Sequence, residues 1–244
     1  MSRYGEKHTG LARALSKLGH CSRSSARKLI TEGRVRLNGS TVRDPETPVR
    51  MAKDRLEVDG EKIASAGKIY MMLNKPRGIV TTAADEQGRD TIYSLVPRGQ
   101  WLAPVGRLDK ASEGLLLLTN DSAWAAGITA PQSHLDKTYH VQISALADDC
   151  LLARLTTGVR ESGELLKAKR ARLLRQGQKN CWIEIVLDEG KNRHIRRIFA
   201  ALGIEVLRLI RVAVGELILG ELSKGEVRDL TPQEIKKLSA RART

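Results

Sequence analysis

Hydrophobic residues in the first part of the chain follow a helical spacing and predict two short helices. Leucines recur at helical intervals between residues 11 and 18, and Gly19 follows them as a stop signal. Ser22 can cap the start of a second helix, which Gly33 can end. Basic side chains lie between the apolar positions, so both helices are expected to be amphipathic.

An alternating pattern follows the second helix. The segment VRLNGSTV (35–42) surrounds Asn38-Gly39, a pair that readily adopts the positive φ angles of a two-residue hairpin turn. Two helices and a hairpin make a small basic domain, which we assign to residues 1–60. Residues 61–68 are small and polar without a sustained period, so we expect a linker there.

From Ile69 the pattern changes to apolar runs typical of strands, and we assign residues 69–244 to a larger domain. The candidate strands are 69–76, 101–108, 114–120, 137–144, 165–174, 181–187 and 205–217. Short helices are expected at 91–96, 121–128, 148–156 and 192–202. Because strands and helices do not alternate strictly, the pattern favours an α+β fold with a mixed, mostly antiparallel sheet and flanking helices.

The charge of the chain indicates the kind of partner it binds. Its 244 residues contain 42 Lys and Arg against 28 Asp and Glu, and the net charge of +14 suits a polyanion such as nucleic acid. Basic residues concentrate in residues 1–60 and again in KNRHIRR (191–197), which offers two surfaces for phosphates. The alternative is a solvated basic surface that only aids solubility.

Other features of the composition exclude several classes of protein. No apolar run approaches the length that crosses a bilayer, and MSRYGEKHTG lacks the apolar core of a secretory signal. The three cysteines, Cys21, Cys150 and Cys181, lie far apart, which favours a reducing cytoplasm. Neither they nor the five histidines have metal-ligand spacing, so we expect no metal.

The N-terminal segment SKLGHCSRSSARKLITEGRVRLNG (16–39) resembles the small S4-like RNA-binding module first described in a ribosomal small-subunit protein. In that family the two helices and the following turn present basic side chains to structured RNA. The resemblance therefore implies RNA contacts by Arg13, Lys17, Arg23, Arg27, Lys28, Arg34 and Arg36. The alternative is a helical domain with ordinary exposed charges.

One carboxylate has a distinctive setting in GRLDKASEGLLLLTND (106–121). Asp109 follows an apolar strand and precedes polar turn residues and a nearly uninterrupted apolar strand. A loop wedged between buried strands holds a side chain in a fixed position at the rim of a sheet, as catalysis requires. The residues alone nevertheless favour a loop aspartate that caps a turn.

The same passage resembles the signature of the pseudouridine synthases, specifically the RsuA/RluB branch that acts on ribosomal RNA. LNKPRGIVTT (73–82) and EGKNRHIRRIFAALG (189–203) resemble two further motifs of that family, so the resemblance covers nearly the whole chain. It implies the pseudouridine synthase fold, isomerisation of uridine to pseudouridine, and Asp109 as the catalytic nucleophile. The late motif is closer to the RluB type, which favours large-subunit (23S) over small-subunit (16S) ribosomal RNA.

The late motif also predicts a helix from its residues. Asn192 can cap this helix, an apolar stripe follows, and Gly203 can close it. In the family an arginine at this position pairs with the catalytic aspartate, so the resemblance implies that Arg196 keeps Asp109 ionised and oriented. The neighbouring arginines are expected to contact phosphates or to be merely solvated: Arg193 and Arg197.

Two further passages supply candidates for the base-binding pocket. KTYHVQ (137–142) resembles the motif in which a tyrosine stacks on the target base, which implies that role for Tyr139, although a strand tyrosine is ordinarily core packing. LRLIRVAVG (207–215) resembles the segment that supports the base, with Leu209 as the candidate. Arg107 and Lys137 are expected to contact RNA. Other titratable residues are interpreted as structural: His140, His194 and, as a turn or capping residue, Glu113.

The implied reaction detaches uracil, rotates it and rejoins it through a carbon, so no cofactor is expected. The family leaves open whether the carboxylate adds covalently or removes a ribose proton. A catalytically silent ribosome-assembly factor and an RNA or DNA glycosylase are the alternatives. We expect a cytoplasmic monomer that binds ribosomal RNA or a pre-ribosomal particle, with no obligatory protein partner and no membrane contact.

Overall fold

The computed structural model describes residues 8–64, 67–82, 88–97 and 101–241. The chain divides into two compact units, one formed mainly by residues up to Tyr70 and one mainly by later residues. The first contains β1 (Thr9–Gly10), α1 (Leu11–Lys17), α2 (Arg23–Thr31), β2 (Val35–Leu37), β3 (Ser40–Val42), β4 (Pro48–Val49), β5 (Leu56–Val58) and β6 (Glu61–Lys62). Its main sheet has the order β3-β2-β5-β6.

The local signals in the small unit act as predicted. Ser22 caps α2 by accepting a hydrogen bond from the backbone N–H of Ser25 at 3.0 Å. Gly19 and Gly33 follow the ends of the two helices, each with a φ of 76°. Asn38-Gly39 turns the chain between β2 and β3 with φ angles of 53° and 86°. The predicted helices and hairpin are confirmed.

The core of the small unit draws on both helices and on the sheet. Leu11, Leu15 and Ile30 are fully buried and pack with Val35 of β2. The compact structure continues into the segment expected to be a linker, because β6 pairs with β5 and Ile63 packs against this core. Residues 65–66 of the expected linker lie outside the described residues.

The second unit contains most of the helices and strands. Its strands are β7 (Tyr70–Lys75), β8 (Ala103–Val105), β9 (Glu113–Thr119), β10 (Lys137–Ile143), β11 (Val159–Glu161), β12 (Glu164–Leu166), β13 (Arg170–Gln176), β14 (Cys181–Leu187), β15 (Val206–Val214), β16 (Leu217–Ile218) and β17 (Val227–Asp229). Its helices are α3 (Ser122–Thr129), α4 (Asp149–Thr157), α5 (His194–Ala201) and α6 (Pro232–Arg241), with short 3-10 turns at Ile92–Ser94 and Pro131–Ser133.

Nine of these strands, within the described residues, form one sheet. Their order is β13-β14-β10-β15-β9-β7-β17, with β16 added to β15 and β8 added to β9. β15 and β9 run parallel, whereas β10 is antiparallel to both β14 and β15. This mixed, mostly antiparallel sheet with flanking helices confirms the predicted α+β fold. Every helix within the described ranges is too short or too polar to span a bilayer.

Helices α4 and α5 pack against one face of this sheet. Alternate residues of β10 and β14, such as Val141 and Ile183, point to that face, while Ile198 and Phe199 of α5 cover them; all four are fully buried. This packing follows from the period of two along a strand and of 3.6 along a helix. The same face therefore carries Tyr139 of β10 and Leu209 of β15.

Some predicted elements have different bounds. The candidate strand 165–174 is divided into β12 and β13, because the backbone N–H of Ala168 donates to the carbonyl of Leu155 in α4 at 2.7 Å. The late helix begins at His194, and its N-cap is Arg193 in the left-handed region with a φ of 47°, so Asn192 does not cap it. Helix α6 was missed because its sequence is mostly polar.

Candidate active site

Backbone hydrogen bonds hold the loop that carries Asp109. The backbone N–H of Ser112 donates to the Asp109 carbonyl at 3.0 Å, which closes a turn. The Thr81 hydroxyl donates to the Leu108 carbonyl at 2.8 Å, and the Gly78 backbone N–H donates to the Lys110 carbonyl at 2.8 Å. The loop is therefore anchored on both sides of Asp109, whose side chain is half-buried. A carboxylate in this setting has a defined position.

Lys75, at the end of β7, lies directly beneath this loop. Its side chain is fully buried, and its ammonium group donates to the carbonyls of Pro76, Asp109 and Ser112 at 3.1, 3.2 and 3.0 Å. Burial lowers the pKa of Lys75 to about 8, while the charges of Asp109 and Glu113 oppose the shift. Sequence reasoning missed this residue, although a charged residue that ends an apolar strand within LNKP was a signal for it.

A small cavity brings the predicted catalytic residues together. It has a volume of about 90 Å³, and Asp109, Tyr139 and Leu209 all line it. Arg107, Arg193 and Lys191 also line it, so basic groups surround the carboxylate. The Asp109 carboxylate forms no ion pair with the part of the chain that the structure describes. A cavity with one free carboxylate, an aromatic ring and an aliphatic side chain suits a planar base beside a nucleophile.

Arg196 supports the loop from α5 without pairing with the carboxylate. Its guanidinium donates to the carbonyl of Ala111 at 3.1 Å and to that of Val206 at 3.3 Å, and its Nε has no partner among the described residues. Burial lowers the pKa of Arg196, and the negative charge of Asp109 opposes that shift, so the two groups interact electrostatically. The expected Arg196–Asp109 ion pair is therefore not formed, because backbone carbonyls take its place.

The two flanking arginines differ from each other. Arg193 is exposed and lines the cavity, as a phosphate-binding side chain requires. Arg197 instead donates to Glu161 at 2.7 Å and to Glu164 at 2.8 Å, which ties α5 to the β11–β12 hairpin. Two carboxylates already neutralise its charge. The geometry thus favours a structural role for Arg197 over the expected phosphate contact.

Two residues that the sequence presented as structural have unexpected environments. His194 is 3% exposed, and neither ring nitrogen has a hydrogen-bond partner among the described residues, so it is not a satisfied core histidine. Burial lowers the pKa of His194, which favours the neutral ring. Glu113 begins β9 rather than capping a turn, and its carboxylate pairs with Arg208 at 3.1 Å and Lys224 at 2.7 Å.

The expected RNA-binding residues of the small unit are all exposed, but their partners differ. Arg27 pairs with Glu46, and Arg34 donates to Asp59 at 2.8 Å. Lys28 lies 3.9 Å from Glu32. The remaining expected contacts have no ion pair with the described residues: Arg13, Lys17, Arg23 and Arg36. Within the ranges that the structure describes, no group of His, Cys, Asp or Glu side chains could hold a metal ion.

Known proteins resemble this chain along nearly its whole length. The RNA pseudouridylate synthase family model matches residues 69–201, and the S4 domain model matches residues 9–56. The chain is 38% identical over 238 residues to ribosomal large subunit pseudouridine synthase B of Bacillus subtilis, covering 95% of this chain and 96% of that protein. It is also 38% identical over 226 residues to an uncharacterised RNA pseudouridine synthase of Aquifex aeolicus, covering 92% of this chain and 91% of that protein.

A solved structure has the same fold. The crystal structure of a pseudouridylate synthase matches with a TM-score of 0.66 and 32% sequence identity, covering 94% of this chain and 99% of that chain. The agreement extends over both the small unit and the sheet that carries the cavity. This chain therefore belongs to the RNA pseudouridylate synthase family and combines a synthase domain with a preceding S4 domain.

Proposed function

We propose that this protein isomerises a uridine of ribosomal RNA to pseudouridine, with Asp109 as the catalytic carboxylate and large-subunit RNA as the substrate. The observation that carries the proposal is the convergence of Asp109, Tyr139 and Leu209 on one cavity. The name of the Bacillus subtilis relative supports the choice of the large subunit. The basic S4 domain supports an RNA partner.

The reaction rearranges bonds within one nucleotide. The bond between ribose C1′ and uracil N1 breaks, the base rotates, and a bond forms between C1′ and C5. The hydrogen of C5 leaves as a proton, and the freed N1 gains a proton. No electrons or groups are exchanged with another molecule, so the chemistry requires no cofactor. Asp109 either adds to C1′ as the base departs or removes the C2′ proton to give a glycal, and its free carboxylate suits both steps.

The remaining cavity residues position the base and the carboxylate. The target uridine leaves its stack and enters the cavity, where the ring of Tyr139 covers one face and Leu209 supports the other. Lys75 and Arg196 act on Asp109 through its loop, since they bond to loop carbonyls rather than to the carboxylate. We regard both as positioning residues.

RNA binding outside the cavity is assigned to cations without carboxylate partners. In the S4 domain these are Arg13, Lys17, Arg23 and Arg36, all exposed. Near the cavity they are Arg107, Lys137 and Arg193. Such groups gain most from a phosphate because no internal ion pair has to be broken first.

Tritium release tests the catalytic assignment directly. Ribosomal RNA labelled with tritium at uridine C5 loses its label when C5 bonds to C1′. The wild-type protein is expected to release label, and Asp109→Asn is expected to release none while still binding the RNA. Asp149→Asn, an exposed carboxylate of α4, is the matched control and should retain full activity. Equal release by wild type and Asp109→Asn, or release by neither, would reject the assignment.

The mass of the RNA and the modified subunit complete the test. Isomerisation leaves the RNA mass unchanged, whereas a glycosylase removes the mass of uracil. Mapping of pseudouridine in both ribosomal RNAs from a deletion strain identifies the subunit. Loss of a pseudouridine from the small-subunit RNA alone would overturn the large-subunit assignment. Unchanged maps in both RNAs would indicate a silent assembly factor.

A further inference from the structure

A second, larger cavity adjoins the catalytic cavity. It has a volume of about 440 Å³ and shares Arg107, Tyr139 and Lys191 with the smaller one. Residues of β10 and β15 are among those that line it, including Lys137 and Arg211. Tyr139 therefore lines both cavities.

Arg211 is the unusual residue of this cavity. It is 7% exposed, and its Nε donates to the Leu115 carbonyl at 2.7 Å. No other hydrogen bond or ion pair of this side chain occurs within the described residues, so its terminal amino groups are without partners there. These amino groups are accessible from the cavity, where an anion would meet a guanidinium that has no carboxylate partner.

A glycine on the neighbouring strand allows the backbone of Arg211 to lie close to β9. Arg211 lies opposite Gly114 in the parallel pairing of β15 with β9, and a Cβ at Gly114 would lie 2.2 Å from the Arg211 carbonyl. Gly114 has a φ of 101°, which only glycine adopts readily. Arg211 also lies opposite Tyr139 of β10, so their side chains share a face of the sheet.

Lys137 supplies a second cation without a partner. It lies two residues before Tyr139 on β10, and its side chain therefore points to the same face. Burial lowers the pKa of Lys137, and the positive charge of Arg211 lowers it further, which places the two cations near each other. The Lys137 ammonium forms no hydrogen bond or ion pair with the described residues.

The charge of the cavity selects the class of ligand. Its cationic side chains are Arg107, Lys137, Lys191 and Arg211, and its carboxylates are Asp188 and Glu189. Glu189 is already paired with Lys191 at 2.9 Å, and Asp188 lies 4.0 Å from His134 at the rim. The charges of Asp136 and Asp188 act on Lys137 without forming an ion pair with it. Neither Lys137 nor Arg211 has a carboxylate partner among the described residues, so both can bind a small oxyanion.

We infer that this second cavity binds the phosphate next to the target uridine, with Arg211 and Lys137 as its ligands. The inference rests on the proposed function and adds a phosphate subsite to it. With the base beside Asp109 and the phosphate beside Arg211, the nucleotide is held at two points on either side of Tyr139. Such two-point binding fixes the ribose, whose C1′ must face the carboxylate.

Nucleotide binding without turnover tests the subsite. Calorimetry with uridine, uridine 5′-monophosphate and uridine 3′-monophosphate measures the contribution of the phosphate. One of the two monophosphates is expected to bind wild type roughly 10-fold or more tightly than uridine does. Arg211→Gln should abolish that preference and leave uridine affinity unchanged. Arg160→Gln, an exposed arginine of β11 outside both cavities, should leave it intact.

Two further variants keep the test decisive. If Arg211→Gln does not fold, Lys137→Gln should reduce the preference for the phosphate. Arg211→Lys keeps the positive charge and should keep part of that preference. Equal affinity for uridine and both monophosphates in wild type, or no binding of any at millimolar concentration, overturns the subsite. A preference that survives both Arg211→Gln and Lys137→Gln also overturns it. Tritium release from RNA is measured separately, so a failed subsite and a failed catalytic assignment are distinguishable.

Discussion

The paired basic side chains of the S4 domain and the cations around the Asp109 loop differ in what they bond to. In the S4 domain, Arg27 and Arg34 are exposed and pair with acidic side chains. Around the loop, Lys75, Arg196 and Arg211 are buried or half-buried and donate to backbone carbonyls. A carboxylate cancels the charge of its partner, whereas a carbonyl satisfies a hydrogen bond and leaves the charge in place.

This difference gives the two regions different tasks. Lys75, Arg196 and Arg211 each donate to at least one carbonyl of residues 109–115, so three cations hold one short segment. Their uncancelled charge is concentrated where a carboxylate and a phosphate are expected. The exposed pairs of the S4 domain are screened by water and contribute little energy each. Net charge alone would not separate these roles.

The largest expected effect is the difference in kcat between substitutions of two adjacent residues, Arg196 and Arg197. Arg196→Gln removes the side chain that holds the Ala111 carbonyl, and kcat should fall on the order of 10³-fold with little change in KM. Arg197→Gln breaks the pairs with Glu161 and Glu164, so thermal stability should fall while kcat changes only a few-fold. Steady-state kinetics on the labelled RNA measures both. Equal losses of kcat in the two variants would contradict the comparison.

Gly114→Ala tests the close approach of β9 and β15 at the phosphate subsite. Its Cβ would overlap the Arg211 carbonyl at 2.2 Å, so the strands must separate, and the free energy of unfolding should fall by about 3 kcal/mol. Urea denaturation measures the change. Gly67→Ala is the control, because its Cβ would meet no atom within 4 Å. Similar stability of the two variants would show that β15 shifts at little cost.

The buried ammonium of Lys75 predicts a pH dependence of stability. Its pKa is about 8 in the folded protein and 10.5 as an ordinary lysine, so between these values the unfolded chain binds more protons. Below pH 8 the buried ammonium of Lys75 lowers the free energy of unfolding by its full amount. This destabilisation declines as pH rises, because the buried amine loses its proton. The free energy of unfolding of wild type should gain about 2 kcal/mol relative to Lys75→Met between pH 8 and 10. Parallel profiles of the free energy of unfolding against pH for wild type and Lys75→Met would contradict a buried ammonium at Lys75.

The S4 domain is expected to give the smallest effects. Arg23→Gln removes an exposed cation without an ion pair among the described residues, so the slope of log affinity against log salt should decrease by about 1. Arg34→Gln removes a cation paired with Asp59 and should change that slope less. RNA binding measured at several salt concentrations compares them. A larger change for Arg34→Gln would reverse the proposed division between free and paired cations.

Much of the fold could be predicted because its signals are local. A helix end at Gly19, a cap at Ser22 and a turn at Asn38-Gly39 depend on the φ preferences and hydrogen bonds of neighbouring residues. The divided strand 165–174 could not be predicted, since a backbone hydrogen bond from Ala168 to Leu155 of α4 interrupts it and is not visible in the strand's own pattern. Asp109, Tyr139 and Leu209 were identified by resemblance to a family, not by their local pattern.

The sequence by itself determined the secondary-structure pattern, the excess of basic charge and the family to which the chain belongs. Only the tertiary structure decided what each basic side chain does. Arg196 and Arg197 are adjacent in the chain, yet successive residues of a helix point about 100° apart, so one reaches the Asp109 loop and the other the β11–β12 hairpin. A charge is a property of the residue, whereas its partner is a property of the fold.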